Sequence, residues 1–172
     1  MQRKLTAIRN RQLTLEIRSQ RFSFAAVEGS HLLDWGGCIC PAGRKQLATA
    51  ARKLGELLQL YQPAIVIWRN PRGVKGPKTK RAIAIANAIR RELKKRSISH
   101  VVIGRAEIAQ CFARDGHRTK HQIAVYLANR FPVLQPSLPP PRKTWDPELY
   151  RAAVFDAIAT LEAFNDQKEP RE

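Results

Sequence analysis

Two carboxylates and a dense run of cations carry the chemistry this sequence can do. Glu16 sits in Leu13-Thr14-Leu15-Glu16-Ile17, where apolar and polar residues alternate as they do along a β-strand. A carboxylate there needs solvent, a cationic partner or a metal ion, because an ionised acid taken out of water uncompensated is very costly. Asp156 lies near the other end of the chain, inside the small-residue stretch Ala152-Ala153-Val154-Phe155-Asp156-Ala157-Ile158-Ala159. Between them, the segment from Arg69 to Arg81 holds six cations, Arg69, Arg72, Lys75, Lys78, Lys80 and Arg81, with two Gly and two Pro. It reads as a mobile basic loop. The second run, Arg90-Arg91-Glu92-Leu93-Lys94-Lys95-Arg96, is either a solvated helix face or, by continuity with that loop, a surface for phosphates.

The whole chain carries 31 Lys and Arg against 14 Asp and Glu, a formal charge of +17 over 172 residues, with a pI near 10.8. Neither folding nor solubility requires that excess, so a polyanionic partner is implied. No apolar run approaches the roughly 18 to 20 residues that span a bilayer, and nucleic acid is preferred over a membrane. Residues 1–11 form a basic arm without the apolar stretch of a signal peptide, so the expected compartment is the cytoplasm. Cys38-Ile39-Cys40 is spaced too tightly for a zinc knuckle and has no second ligand pair. With Cys111 it reads as buried thiols under reducing conditions. Residues 12–164 suit one domain and 165–172 a flexible tail.

The elements that must position these groups follow from periodicity and punctuation. Leu13 to Ile17 and Phe22 to Val27 alternate as strands, and Leu32-Leu33-Asp34-Trp35 begins a third after a turn at Glu28-Gly29-Ser30. Arg44 to Tyr61 places Leu47, Ala50, Ala51, Leu54, Leu57 and Leu58 at helical spacings, and Pro63 ends that helix. Ala64 to Trp68 is continuously apolar, as a strand covered on both faces would be. Further helices are expected over 82–96, 107–112 and 122–130, the last capped by Thr119, with a strand at 98–103. Five prolines between Pro132 and Pro141 suggest an extended connector. Asp146 and Pro147 open the final helix as N-cap and first residue, and its alanines let it approach a sheet closely. Phe22, Phe24 and Trp68 are more economical as core than as a stacking platform for single strands.

This order, with one acid on the first strand and another in the last helix, resembles the ribonuclease H-like fold, and within it the RuvC family of Holliday-junction endonucleases. Glu16-Ile17-Arg18-Ser19-Gln20 is similar to that family's first-strand acid and the turn after it, and Phe22 to Ala25 to its second strand. The stretch from Ala64 to Asn70 is similar to the strand that delivers the second acid. Thr119 to Pro132 resembles the helix with a substrate-facing Lys, here Lys120, and Val154 to Ala159 the terminal helix with its acid, here Asp156. The resemblance implies an α/β domain with a mixed five-stranded sheet, its first three strands antiparallel, flanked by helices. It implies phosphodiester hydrolysis by two Mg²⁺ or Mn²⁺ ions about 4 Å apart. Glu16, Asp156 and Lys120 then become catalytic candidates, and branched or duplex DNA the partner; a homodimer is also admitted. Arg69, Arg72, Lys75, Lys78, Lys80, Arg81, Arg118 and Lys120 become the nucleic-acid-binding set.

Four departures bear on that implication. Glu16 stands where the family has Asp, and Arg18 where its first turn has glycine. Trp68, flanked by Arg69, stands at the second-acid position, and Ala153, one turn before Asp156, where another Asp is common. A guanidinium beside two carboxylates can neutralise them as a metal would. Three readings follow. One is a RuvC-like module that binds structured DNA around an ion-pair cluster of Glu16, Asp156, Arg18 and Arg69. Another is a Mg²⁺-dependent endonuclease that supplements Glu16 and Asp156 with Glu148, Asp146 or Glu107 as ligands. The last is an RNA- or ribosome-associated basic protein on the same fold.

Overall fold

A computed structural model of the chain describes residues 10–71, 76–141, 143 and 151–168. Its strands are β1 (Arg11–Ile17), β2 (Arg21–Glu28), β3 (His31–Ile39), β4 (Ile65–Arg69) and β5 (Ser99–Ile103). The helices are α1 (Gln46–Tyr61), α2 (Pro77–Lys95), α3 (Arg105–Ala113), α4 (Lys120–Arg130) and α5 (Ala152–Lys168). The strands form one sheet in the order β3-β2-β1-β4-β5. β1 to β3 pair antiparallel, whereas β4 runs parallel to β1 and β5 parallel to β4. The mixed five-stranded α/β architecture expected from the sequence is the one observed, and β1 is its middle strand.

The period of two along β1 divides the molecule into two layers. Leu13, Leu15 and Ile17 join a core with Ala50, Leu54, Leu57 and Leu58 of α1 and Ile85, Ile89 and Leu93 of α2. The opposite parity, Gln12, Thr14 and Glu16, is polar yet buried, because α5 lies over it. The Gln12 amide donates to Asn165 Oδ1 at 2.9 Å, and the Thr14 hydroxyl donates to the Ala157 carbonyl at 2.7 Å. A side chain as short as Thr reaches a helix backbone only where small residues let the helix down onto the sheet. Ala153, Ala157 and Ala159, all buried, provide that. Phe22, Phe24 and Trp68 are core residues, and the three cysteines are buried free thiols.

Several sequence expectations need correction. The basic segment is less of a loop than its glycines suggest: α2 begins at Pro77, so Lys78, Lys80 and Arg81 are helical. Proline is well suited to a first helical position, where its missing N–H costs nothing. Residues 72–75, including Arg72 and Lys75, lie outside the described residues. The proline-rich connector is not extended at its start. Pro132–Ser137 forms a 3-10 turn, anchored by buried Phe131 and Leu134, because proline's fixed φ also suits a tight helix. Leu47 is exposed while Gln46 is buried. The last helix continues through Lys168, with Arg114 paired to Asp166 at 2.9 Å, so residues 165–168 belong to it, while 169–172 lie outside the described residues. Asp146 and Pro147 lie outside the described residues.

Thr14→Val keeps the shape of the side chain but removes the bond to Ala157. It should cost about 1 kcal/mol of unfolding free energy in urea titrations, with Thr14→Ser closer to the parent. A neutral valine would mean that alanine packing alone seats α5.

Candidate functional site

At the end of β1 the polar parity reaches Glu16, whose side chain is 2% exposed. The α5 backbone that receives Thr14 also brings Asp156 within reach, so the two acids from opposite ends of the chain share one cluster with three cations. Arg69 donates to Glu16 Oε1, and Arg18 Nε lies 3.0 Å from the same oxygen. Arg18 also donates through Nη2 to Asp156 Oδ2 at 2.8 Å, and Lys120 Nζ donates to that oxygen at 3.2 Å. Glu16 Oε2 is buried and finds no hydrogen-bond partner among the described residues. Burial accordingly pushes the Glu16 carboxyl above its ordinary value, against the pull of Arg69; Asp156 adds to the rise and Arg18 opposes it.

Local structure explains why each cation is there. Arg18 opens the β1–β2 turn, which closes through its N–H donating to the Arg21 carbonyl at 2.8 Å. The buried Gln46 amide fixes that turn, donating to the carbonyls of Ser19 and Cys40 at 2.9 and 2.8 Å. Sequence periodicity misses Gln46, since a lone glutamine at a helix start carries no signal of burial. Arg69 comes from β4, where Leu15 is registered with Trp68, so the next residue lies beside Glu16. This corrects the placing of the second-acid position at Trp68. Side chains alternate along a strand, and Trp68 points to the other face, stacked on His100 at 5.3 Å with Arg90 at 5.9 Å. The residue that faces Glu16 is Arg69. Lys120 is the first residue of α4, whose start is set by a capping box between Thr119 and Gln122.

Two cavities flank the cluster and share Arg69 and Arg105 as a wall. The first, about 490 Å³, includes Glu16, Arg18, Arg21, Lys78 and Thr79 in its lining; the second, about 310 Å³, includes Asp156, His117, Arg118 and Lys120. Lys80 and Arg81 lie near the start of α2 and line neither. Arg105, the first residue of α3 after Gly104, escapes sequence reasoning; its only signal is a cation directly after a strand that ends at the site.

Among the described residues, the expected metal ligands do not fit a Mg²⁺ or Mn²⁺ pair. Hard divalent ions need several converging oxygens. The two acids here already accept from three cations, and the described residues contain no group of three or more His, Cys, Asp or Glu able to hold a metal. Glu107, a suggested replacement, accepts instead from the Gly104 N–H and, at 2.8 Å, from the Gln167 amide. Glu148 lies outside the described residues.

No protein-family model matches the chain, and no curated protein matches its sequence. Solved structures do match. Thermus thermophilus RuvC in complex with a Holliday junction substrate superposes with a TM-score of 0.71 at 11% identity, over 92% of this chain and 96% of that one. Another structure of Thermus thermophilus RuvC gives 0.69 at 13% identity with the same coverage. The yeast mitochondrial Holliday junction resolvase Ydc2 gives 0.60 at 9% identity, over 91% of this chain and 79% of that one. The chain therefore has the ribonuclease H-like fold in its RuvC form.

The raised Glu16 carboxyl has a measurable sign. A folded-state value above the ordinary 4.5 makes the group's contribution to stability full below 4.5 and lost as pH rises through the folded value. The stability of the parent minus that of Glu16→Gln should therefore decline as pH is raised from 4.5, in denaturant titrations across the weakly acid range. A flat difference would mean that Arg69 and Arg18 offset burial fully.

Proposed function

We propose that the chain binds structured DNA, branched in preference to duplex, on a RuvC-like scaffold whose acid centre is neutralised by its own cations and does not hydrolyse phosphodiester bonds. The ion-pair cluster carries this reading. In a two-metal nuclease, divalent ions offset the converging carboxylates and stabilise the attacking and leaving oxygens. Here Arg18, Arg69 and Lys120 offset Glu16 and Asp156. Support for DNA comes from the formal charge of +17 and from the fold neighbour solved with a Holliday junction substrate.

Binding and cleavage assays on a four-way junction, a linear duplex and a hairpin RNA, each with Mg²⁺ or Mn²⁺, test the reading. The expected outcome is preferred binding of the junction, no cleavage, and no saturable rise in melting temperature with millimolar metal. Metal-dependent nicking abolished by Asp156→Asn would establish the endonuclease instead, and preferred binding of the hairpin would establish an RNA partner.

Neutralising Lys78, Lys80 and Arg81 should weaken binding to all DNA sequences alike, because phosphate contacts carry no base information. The slope of log affinity on log salt should fall by about 0.9 for each phosphate that is no longer neutralised. Unchanged binding at low salt would remove the start of α2 from the interface.

A further inference from the structure

The first cavity is lined by five cations, Arg18, Arg21, Arg69, Lys78 and Arg105, and one acid, Glu16. Arg69 and Arg18 hold Glu16 and Asp156, whereas Lys78 and Arg105 are exposed on the first turns of α2 and α3. The start of α2 is electrostatically incomplete. It has no side-chain cap and no acid in its first turn, yet carries Lys78, Lys80 and Arg81 at the positive end of the helix dipole. Pro77 has no N–H and the Lys80 N–H donates to the Gly76 carbonyl at 3.1 Å, which leaves the Lys78 N–H without a partner among the described residues. An anion in the cavity would offset the cations and could accept from that N–H. Glu16 also lines the cavity, with Arg69 and Arg18 against its Oε1 and its Oε2 buried without a partner among the described residues, but its single charge is outnumbered by the five cations.

We propose that this cavity holds a backbone phosphate of the bound strand directly, without a bridging metal, between Lys78 and Arg105. Arg18 also lines the cavity, paired with Glu16 and Asp156. The proposal rests on the DNA-binding reading above and deepens it by naming the phosphate contact and its metal independence. Arg105 supplies the planar fork that matches phosphate oxygens, and Lys78 a point charge at the start of α2. In a metal centre the chain of contacts runs from carboxylate to ion to phosphate. Here the cations are already covalent parts of the protein, so the phosphate meets them without an intermediary. The same chemistry would accept a free polyphosphate, and the test separates the two sources.

Anisotropy of a fluorescein-labelled four-way junction is measured with the full chain at matched ionic strength, in excess EDTA or in Mg²⁺. Melting is followed separately with inorganic tripolyphosphate. The variants are the double Lys78→Ala/Arg105→Ala and a control, Arg52→Ala/Lys53→Ala, which removes the same charge from α1. Parent affinity should agree within about twofold with or without Mg²⁺, since the sequence-independent term comes from the protein's own cations. The cavity double should lose about tenfold or more, as expected when charged hydrogen bonds to one phosphate are removed. The control should lose less than about threefold through screened charge alone. Tripolyphosphate should raise the melting temperature of the parent and not of the cavity double. Equal losses in the two doubles, or junction binding that requires Mg²⁺, would overturn the proposal. If the junction does not bind while tripolyphosphate still distinguishes parent from double, the DNA reading falls and the metal-free phosphate site stands. If tripolyphosphate stabilises both alike, the site falls whatever the DNA does.

Discussion

A carboxylate buried in the middle strand of a sheet cannot stand alone, and much of this molecule is arranged around that constraint. Glu16 is 2% exposed, and removing the partner of such a buried charge costs about 3 to 5 kcal/mol. A domain's whole stability is only about 5 to 15 kcal/mol. Wherever Glu16 is ionised, something cationic must therefore be in place. Arg69 from β4 and Arg18 from the β1–β2 turn fill that role, and Gln46 holds the turn that carries Arg18 through its hydrogen bonds to the Ser19 and Cys40 carbonyls. The acid, the turn and the start of α1 are thus one energetic unit.

Compensation by arginine differs from compensation by metal in a way that matters for function. A metal ion exchanges with solution, leaves coordination positions open to water and substrate, and binds only as tightly as its concentration allows. A guanidinium is always charged, is tethered, and offers donors but no place for a water to be ionised. Replacing one by the other keeps the electrostatic attraction for a phosphate and removes the means of generating a nucleophile. The third cation, Lys120, donates to Asp156 from an exposed position, so it joins the buried cluster to the surface of the second cavity.

The architecture is legible in the sequence because it is written in periodicities. Alternation in β1 and β2, the unbroken apolar run of β4 and the three-four spacing of α1 each follow from which faces are covered, and those faces are what the observed sheet order covers. What stays hidden depends on tertiary contact. Alternation alone does not say whether solvent or α5 covers the polar parity of β1, and Gln46 looks like a surface residue until the turn it holds is in place. The misplacing of the second-acid position at Trp68 has a simple physical origin. Shifting a strand by one residue exchanges its faces, so a resemblance that fixes the strand but not its parity confuses the core tryptophan with the arginine beside it. Lys78 looks like a loop residue for a related reason: glycines and prolines mark where a loop begins more clearly than where a proline starts the next helix.

On the proposed reading, the same geometry lets the centre attract a phosphate without cleaving it. Interactions that hold substrate and transition state equally lower the free energy of both and leave the rate of the chemical step unchanged. Cations at fixed positions around a phosphate are of that kind: they attract its charge in every state. Selective stabilisation of an in-line displacement needs groups placed on the attacking and leaving oxygens, which is what a pair of metal ions supplies. With Glu16 and Asp156 already paired to Arg18, Arg69 and Lys120, the acids cannot orient such a pair unless the cations first leave. Their departure would strand Glu16 in the sheet. On the proposed reading, the stability of the fold and the lack of hydrolysis have one cause, and introducing hydrolysis would require changing the cations as well as adding acids.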